Sequence, residues 1–302
     1  MSNMTNAPIS VIITTYNDYE YLDQAIKSVM EQELRPAELI VIDDGSAMQT
    51  PESITNNYID NEGFIKVLFY KKSNGGASSA RNLGLEKASQ KYITFLDVDD
   101  KMLPNNLHEK YKSIIGLDHT YFGVYGGAIR STGEVEKFND FDGIPNPELI
   151  DDRNNGVHGA VWAYLFNKEV LKEVGGFDES LECNEDYDLL IRLANLNKKC
   201  KGCTGVNYYR NMRQNSLSRP VDPFKLFSRE MTFLHKAEIN NYYSGAYLNK
   251  RKMTTHLFYV KGLIGQKKII RAYKYARRGF QYSNPITNKQ KIIYYATMSF
   301  IK

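Results

Sequence analysis

Residues 1–221 predict an α/β fold, a mainly parallel central sheet flanked by helices, and residues 222–302 predict a helical C-terminal extension. Three observations carry this reading. Apolar, β-branched runs alternate with amphipathic stretches through the first hundred residues, an order that favours parallel strands joined by helices. Two of those runs end in clustered aspartates. The charge also changes sign along the chain: residues 222–302 hold 16 Lys+Arg, 3 Asp+Glu and 15 of the 37 aromatics, whereas the preceding residues hold 23 basic and 32 acidic side chains.

Each element follows from its own pattern. Residues 9–15 are dense in Ile, Val and Thr, as in a strand buried on both faces. Residues 18–32 form an amphipathic helix with Leu22, Ala25, Ile26 and Val29 on one face. Residues 39–42 are a second strand, stopped by Asp43-Asp44-Gly45-Ser46, and residues 65–70 a third. Residues 77–88 read as a helix opened by Asn74-Gly75-Gly76. Residues 92–96 are a fourth strand, ending in Asp97-Val98-Asp99-Asp100. A helix follows over residues 103–115, with Pro104 in its first turn. Residues 122–129 predict a strand, and residues 131–156, rich in Gly, Pro, Asn and Asp, a long mobile loop of the kind that often binds ligands. Residues 161–166 predict a strand, followed by a short helix to Val174 that Gly175-Gly176 ends. A helix over 185–196 starts behind Asn184 as N-cap, and residues 206–210 are a last strand. Asp222-Pro223 opens the extension, with Phe224, Phe227, Met231 and Leu234 along one helix face.

The bulk composition narrows the class. At 42% hydrophobic and 25% charged, the 302 residues are those of a folded globular chain, neither disordered nor collagen-like. No stretch reaches the roughly 18 apolar residues of a membrane span. Residues 1–10 lack the pattern of a signal peptide, so a cytoplasmic location is expected. Cys183, Cys200 and Cys203 are too few for a disulfide scaffold. Cys200-x-x-Cys203 has metal spacing but no second pair, and reads as reduced thiols in a turn before a strand.

In an open parallel sheet, ligands bind beyond the carboxyl ends of the strands. Asp43-Asp44 and Asp97-Val98-Asp99-Asp100 both come to that edge. One aspartate turn after a strand is commonplace; two on one edge favour a site, because crowded carboxylates repel unless a cation or hydrogen-bond donors offset them. Asp97-x-Asp99 sets two carboxylates on the same side of an extended segment, and an all-oxygen donor set suits Mg2+ or Mn2+. Glu185-Asp186 opens a predicted helix, where acids commonly stabilise the dipole. Asp186, however, lies three, four and seven residues before Leu189, Leu190 and Leu193 and continues their inward stripe, while Asp188 and Arg192 point elsewhere. An inward carboxylate with a raised pKa is what a general base needs. Residues 74–82 are a glycine-rich loop whose amides offer an anion site, with Arg81 adding charge. Trp162 and Tyr164 divide between core packing in a strand and stacking on a ligand, and His158 reads as a plain surface or loop histidine.

The series Val11-Ile-Ile-Thr-Thr-Tyr-Asn17, Asp43-Asp-Gly-Ser46, Asn74-Gly-Gly-Ala-Ser-Ser-Ala-Arg-Asn82, Asp97-Val-Asp-Asp100 and Asn184-Glu-Asp-Tyr187 resembles glycosyltransferase family 2, over about residues 8–218. The resemblance implies a GT-A fold and an inverting transfer of one sugar from a nucleotide-sugar, usually a UDP-sugar, with a divalent metal, Mn2+ or Mg2+. It implies that Thr14 and Tyr16 line the nucleotide pocket, that Asp43 bonds the base and that Arg81 contacts the nucleotide. By the same resemblance Asp97 contacts ribose or donor, Asp99 is the metal ligand on the diphosphate, and Asp100 faces the donor sugar. Asp186 is then the catalytic base, with Glu185 orienting it or the acceptor. Many relatives carry a His after the last strand. Residues 209–218 have none, so Arg210, Arg213 or Ser216 is expected to meet the diphosphate. The Gln-x-x-Arg-Trp motif of processive synthases is absent, which favours single-sugar addition to a saccharide or lipid-linked saccharide in bacterial surface-polysaccharide assembly. A sugar-nucleotide pyrophosphorylase would want a glycine-rich loop with an activating arginine and lysine at the N-terminus, which residues 9–16 do not offer. A non-catalytic nucleotide-sugar scaffold would not need Asp99 and Asp186. The basic extension suits peripheral contact with an anionic membrane, at about 1 kcal/mol per basic residue near the surface. No nucleic-acid motif accompanies it.

Overall fold

A mixed ten-stranded sheet organises the N-terminal part of the molecule. The computed structural model describes residues 6–48, 50–59, 65–137, 140–150, 156–212, 222–285 and 287–299. They fall into two compact units, Met1–Ser180 with Glu185–Met212, and Leu181–Asn184 with Arg213–Lys302.

In the first unit, β1 (Ala7–Thr15) is buried along most of its length, as its run of Ile and Val demands. It pairs in parallel with β2 (Pro36–Asp43) on one side and β4 (Tyr92–Asp97) on the other, and β3 (Lys66–Lys71) extends the parallel half beyond β2. α1 (Tyr19–Met30) buries the predicted Leu22, Ala25, Ile26 and Val29. α2 (Thr50–Asn56) is short and polar, and no apolar period announces it. α3 (Gly76–Lys87) lies close on the sheet because Gly84 has no side chain: a Cβ there would sit 2.5 Å from Ile12 Cγ2. The second half of the sheet mixes directions. β9 (Tyr164–Asn167) runs antiparallel to both β4 and β6 (Tyr121–Arg130), and β10 (Lys199–Arg210) is parallel to β6.

Several local expectations change. α4 (Asn106–Ile114) starts after Pro104, which lies in the turn that follows the two-residue strand β5 (Lys101–Met102). The 131–156 segment is not a bare loop where described: β7 (Val135–Glu136) pairs with β6, β8 (Asp142–Gly143) pairs with β10, and Pro147–Leu149 is a 3-10 turn. Val161–Ala163 is also 3-10, so the strand begins only at Tyr164. β10 starts seven residues earlier than predicted and carries both Cys200 and Cys203, which are therefore strand residues and not turn residues. α5 (Lys168–Glu173) ends at Gly175 and Gly176, whose φ of +77° and +69° favour glycine. α6 (Glu185–Asn195) follows Asn184, whose φ of +59° is left-handed and not that of an ordinary N-cap.

The second unit is helical: α7 (Pro223–Ile239), α8 (Gly245–Gly265), α9 (Ile269–Phe280) and α10 (Asn288–Ser299). Asp222 caps α7 by accepting from the Phe224 amide. Of the face predicted for α7, Leu234 is fully buried and Phe227 partly so, while Phe224 is exposed. Tyr259, Val260 and Leu263 of α8 pack on Ala272 and Ala276 of α9. Among the described residues no helix is long and apolar enough to cross a membrane.

Candidate active site

The strand register brings the predicted residues to one edge. Thr14 of β1 lies opposite Asp97 of β4, and Thr15 lies opposite Asp43 of β2. Tyr16 is exposed just past the end of β1. The loops that follow are tied together: the Asn17 amide donates to Ser46 Oγ, and the Ala47 amide to Asn17 Oδ1.

Asp43 is 1% exposed. Its Oδ1 accepts from the Ser46 amide at 2.8 Å, and Lys71 Nζ stands 3.4 Å from Oδ2. Beyond that ion pair Oδ2 makes no hydrogen bond, which leaves it able to accept one from a ligand. Asp44 faces the other way. It accepts from the amides of Gly75 and Gly76 and pairs with Lys72. The loop amides expected to bind an external anion are thus already bound to this carboxylate.

Arg81 is the hub of the site. Its side chain is 9% exposed and lies between three carboxylates: Glu185 Oε1 at 3.0 Å, Asp97 Oδ1 at 3.3 Å and Asp186 Oδ1 at 3.5 Å. Burial works against its charge, but Asp186, Asp97 and Glu185 more than offset this and hold the guanidinium charged. One buried cation thereby ties the end of β4 to the start of α6. Asp186 also accepts from the Val161 amide through Oδ2, at 3.1 Å. Burial pushes the Asp186 carboxyl up to about 7, against the pull of Arg81 and with the push of Glu185 and Asp97. Asp188, expected to point away from the buried stripe, is instead fully buried and binds Arg192 Nε at 2.8 Å.

Asp99 is half-buried and Asp100 buried. Burial, with Asp97 and Asp99 nearby, pushes Asp100 up to about 8, although the Asn211 amide donates to it. This crowding fits a divalent cation: the donors are all oxygen, and positive charge would relieve the repulsion. Among the described residues no three His, Cys, Asp or Glu side chains form a ready metal cage. A site of one or two carboxylates completed by phosphates and water is the pattern Mg2+ accepts.

Arg210 sits above Trp162 at 5.1 Å and donates to both oxygens of Glu136. Trp162 stacks on Tyr208 at 4.3 Å, and the Tyr208 hydroxyl accepts from the Asp97 amide. Burial, with Asp100 and Asp97, holds that phenol well above its ordinary pKa, so it remains a hydroxyl. Trp162 and Tyr164 are both buried, and neither has a free face for an acceptor. His158 is not a surface histidine: it is buried, its ring edge-on to Trp162. Ser216 and Arg213 lie outside the described residues. Sequence reasoning missed Glu136 and Tyr208, and placed Asp44 at this edge without its role in holding the glycine-rich loop. Neither Glu136 nor Tyr208 carried a sequence signal.

The sequence model of glycosyl transferase family 2 matches residues 10–175, and that of a glycosyltransferase-like family 2 matches residues 160–296. An uncharacterised glycosyltransferase of Rickettsia typhi is 32% identical over 200 residues, covering 64% of this chain and 60% of the relative. The minor teichoic acid biosynthesis protein GgaA of Bacillus subtilis is 33% identical over 220 residues, covering 68% of this chain and 47% of GgaA. The chain thus spans only part of the length of its curated relatives. The crystal structure of S. aureus TarS 1-349 in complex with UDP-GlcNAc superposes with a TM-score of 0.64 at 19% identity, covering 88% of this chain and 80% of that one. The fold is therefore the GT-A fold.

Proposed function

Because this chain belongs to glycosyl transferase family 2, we propose that it moves one sugar from a UDP-sugar to a hydroxyl of a saccharide or lipid-linked saccharide, with inversion, in bacterial surface-polysaccharide assembly. The observation that carries this reading is Asp186, a half-buried carboxylate at the ligand-binding edge, raised to about 7 beside Arg81. A group of that pKa is half in its base form at neutral pH, where general-base catalysis is most effective.

Asp186 takes the proton from the acceptor hydroxyl. The oxygen then attacks the anomeric carbon from the face opposite the diphosphate, and a single displacement inverts that centre. Glu185, held by the same arginine, orients Asp186 or the acceptor. Asp43 accepts from the nucleobase through Oδ2, which pairs with Lys71 at 3.4 Å but makes no hydrogen bond, and Thr14 and Tyr16 line the same pocket. Asp97 and Asp100 face ribose and donor sugar, and Arg210 meets the diphosphate where many relatives use a histidine. Asp99 would hold the divalent metal, which when bound supplies charge neutralisation for the departing diphosphate.

The test is release of nucleotide diphosphate from a panel of nucleotide-sugars, with acceptor saccharides, in Mn2+ or EDTA. Release from one donor that stops in EDTA is expected. Release that persists in EDTA would remove the metal role from Asp99. No release, together with no UDP binding by calorimetry, would overturn the reading.

A further inference from the structure

From residue 239 to residue 302 the chain has 13 Lys+Arg and not one Asp or Glu. Within that stretch, Arg251 pairs with Glu230 and Lys252 with Glu238. Around the turn from α8 to α9, Lys267, Lys268, Arg271 and Lys274 are all exposed, and among the described residues none has an ion pair. Two of these cations immediately precede α9, where the helix dipole disfavours positive charge. The chain accepts that local penalty with no acid in the first turn to offset it.

The same turn exposes large apolar side chains. Ile270 is 77% exposed and Ile269 53%, with Ile264 half exposed on the α8 side. They are not there to pack α9. That helix meets α8 through small residues, Ala272, Ala276 and Gly279, and a Cβ at Gly279 would lie 2.7 Å from His256 Cβ. The cations and isoleucines surround a shallow cavity of about 720 Å³. A merely solvated helix face explains the cations but not the isoleucines between them. A soluble polyanion would reward the charge alone. An anionic bilayer rewards both, through its surface potential and by accepting apolar side chains at the headgroup boundary.

We propose that the α8–α9 turn is a docking face for an anionic phospholipid bilayer, with Lys267, Lys268, Arg271 and Lys274 on the headgroups and Ile269 and Ile270 inserted between them. This inference stands apart from sugar transfer and can fail without it.

The experiment is cosedimentation of the full chain with vesicles of phosphatidylcholine alone, and of phosphatidylcholine with about a third phosphatidylglycerol, at low and high salt. Binding to the anionic vesicles only, weakened by salt, is expected. Replacing Lys267, Lys268, Arg271 and Lys274 by Ala should lose several hundredfold in affinity, at about fivefold per cation. Ile269→Ser with Ile270→Ser should lose at least tenfold at low salt, as about two apolar side chains leave the interface. Circular dichroism and melting report whether each variant folds, and if the fourfold variant does not, Lys267→Glu with Lys274→Glu probes the same face. Equal binding to neutral vesicles, or anionic binding that survives the charge variants, overturns the proposal. So does tight binding of soluble inorganic polyphosphate, unchanged by the Ile269→Ser and Ile270→Ser pair, without binding to either vesicle.

Discussion

Arg81 and Asp186 set each other's chemistry. The arginine keeps three carboxylates at one point, and burial keeps one of them, Asp186, near 7. Spacing to Leu189, Leu190 and Leu193 puts Asp186 on the side of those leucines, a local property of a helix, but it did not reveal that Asp188 would be the fully buried acid. The role of Arg81 as a clamp was not legible, since its partners are 16, 104 and 105 residues away. Asp186→Asn should lower kcat by about 10³-fold, within the range for loss of a general base, and leave UDP binding within about threefold. Arg81→Met should act differently. Removing the cation that lowers the Asp186 pKa moves the ascending limb of the pH–rate profile to higher pH. The three carboxylates left without their cation should also lower stability by about 3–5 kcal/mol, read by denaturant unfolding. An unshifted limb in Arg81→Met would contradict the clamp.

Among the elements, α4 carries a buried lysine that the proposed chemistry does not use. Lys110 is fully buried, its Nζ donates weakly to the Trp162 carbonyl, and burial pulls it down to about 8. Its folded pKa lies below its unfolded one, so its contribution to stability is present at high pH and lost as pH falls through 8. Lys110→Met should therefore stabilise the protein at pH 7 by about 2 kcal/mol, and the gain should shrink as pH rises from 8 to 10.5. A gain that does not vary with pH would refute this account. β7 matters for another reason. Its Glu136 is buried and pairs with both Arg130 and Arg210. Glu136→Ala should raise the KM for donor about tenfold, with a smaller change in kcat, as Arg210 loses its anchor over Trp162. Long β-branched strands and amphipathic helices could be read from local pattern. Two-residue strands such as β5 and β8 could not, because they exist only through pairing with the distant β10, and β7 is too short to show an alternation even though it pairs with the neighbouring β6. α2 is equally silent, being too short and polar to show a period.

At the scale of the whole molecule, the change of charge along the chain separates two jobs. The first unit, with the described members of the site, is acidic where it crowds carboxylates at one sheet edge. The second carries the exposed cations of the α8–α9 turn. Substitutions in the α8–α9 turn should leave transfer to a soluble acceptor within about twofold, while transfer to an acceptor embedded in anionic vesicles falls at least tenfold. Side-by-side kinetics with the two acceptors reads this, and an equal fall in both would place the turn in the chemistry and not in docking.

The most direct test of the central claim is the pH dependence of diphosphate release by the wild type and by Asp186→Asn, with UDP binding measured on both. A base raised to about 7 predicts a wild-type rate that climbs to a plateau with its midpoint near 7. The variant should bind UDP normally and show no such climb. A wild-type midpoint near 4, or a variant that turns over at the wild-type rate, would contradict the assignment of Asp186 as the base.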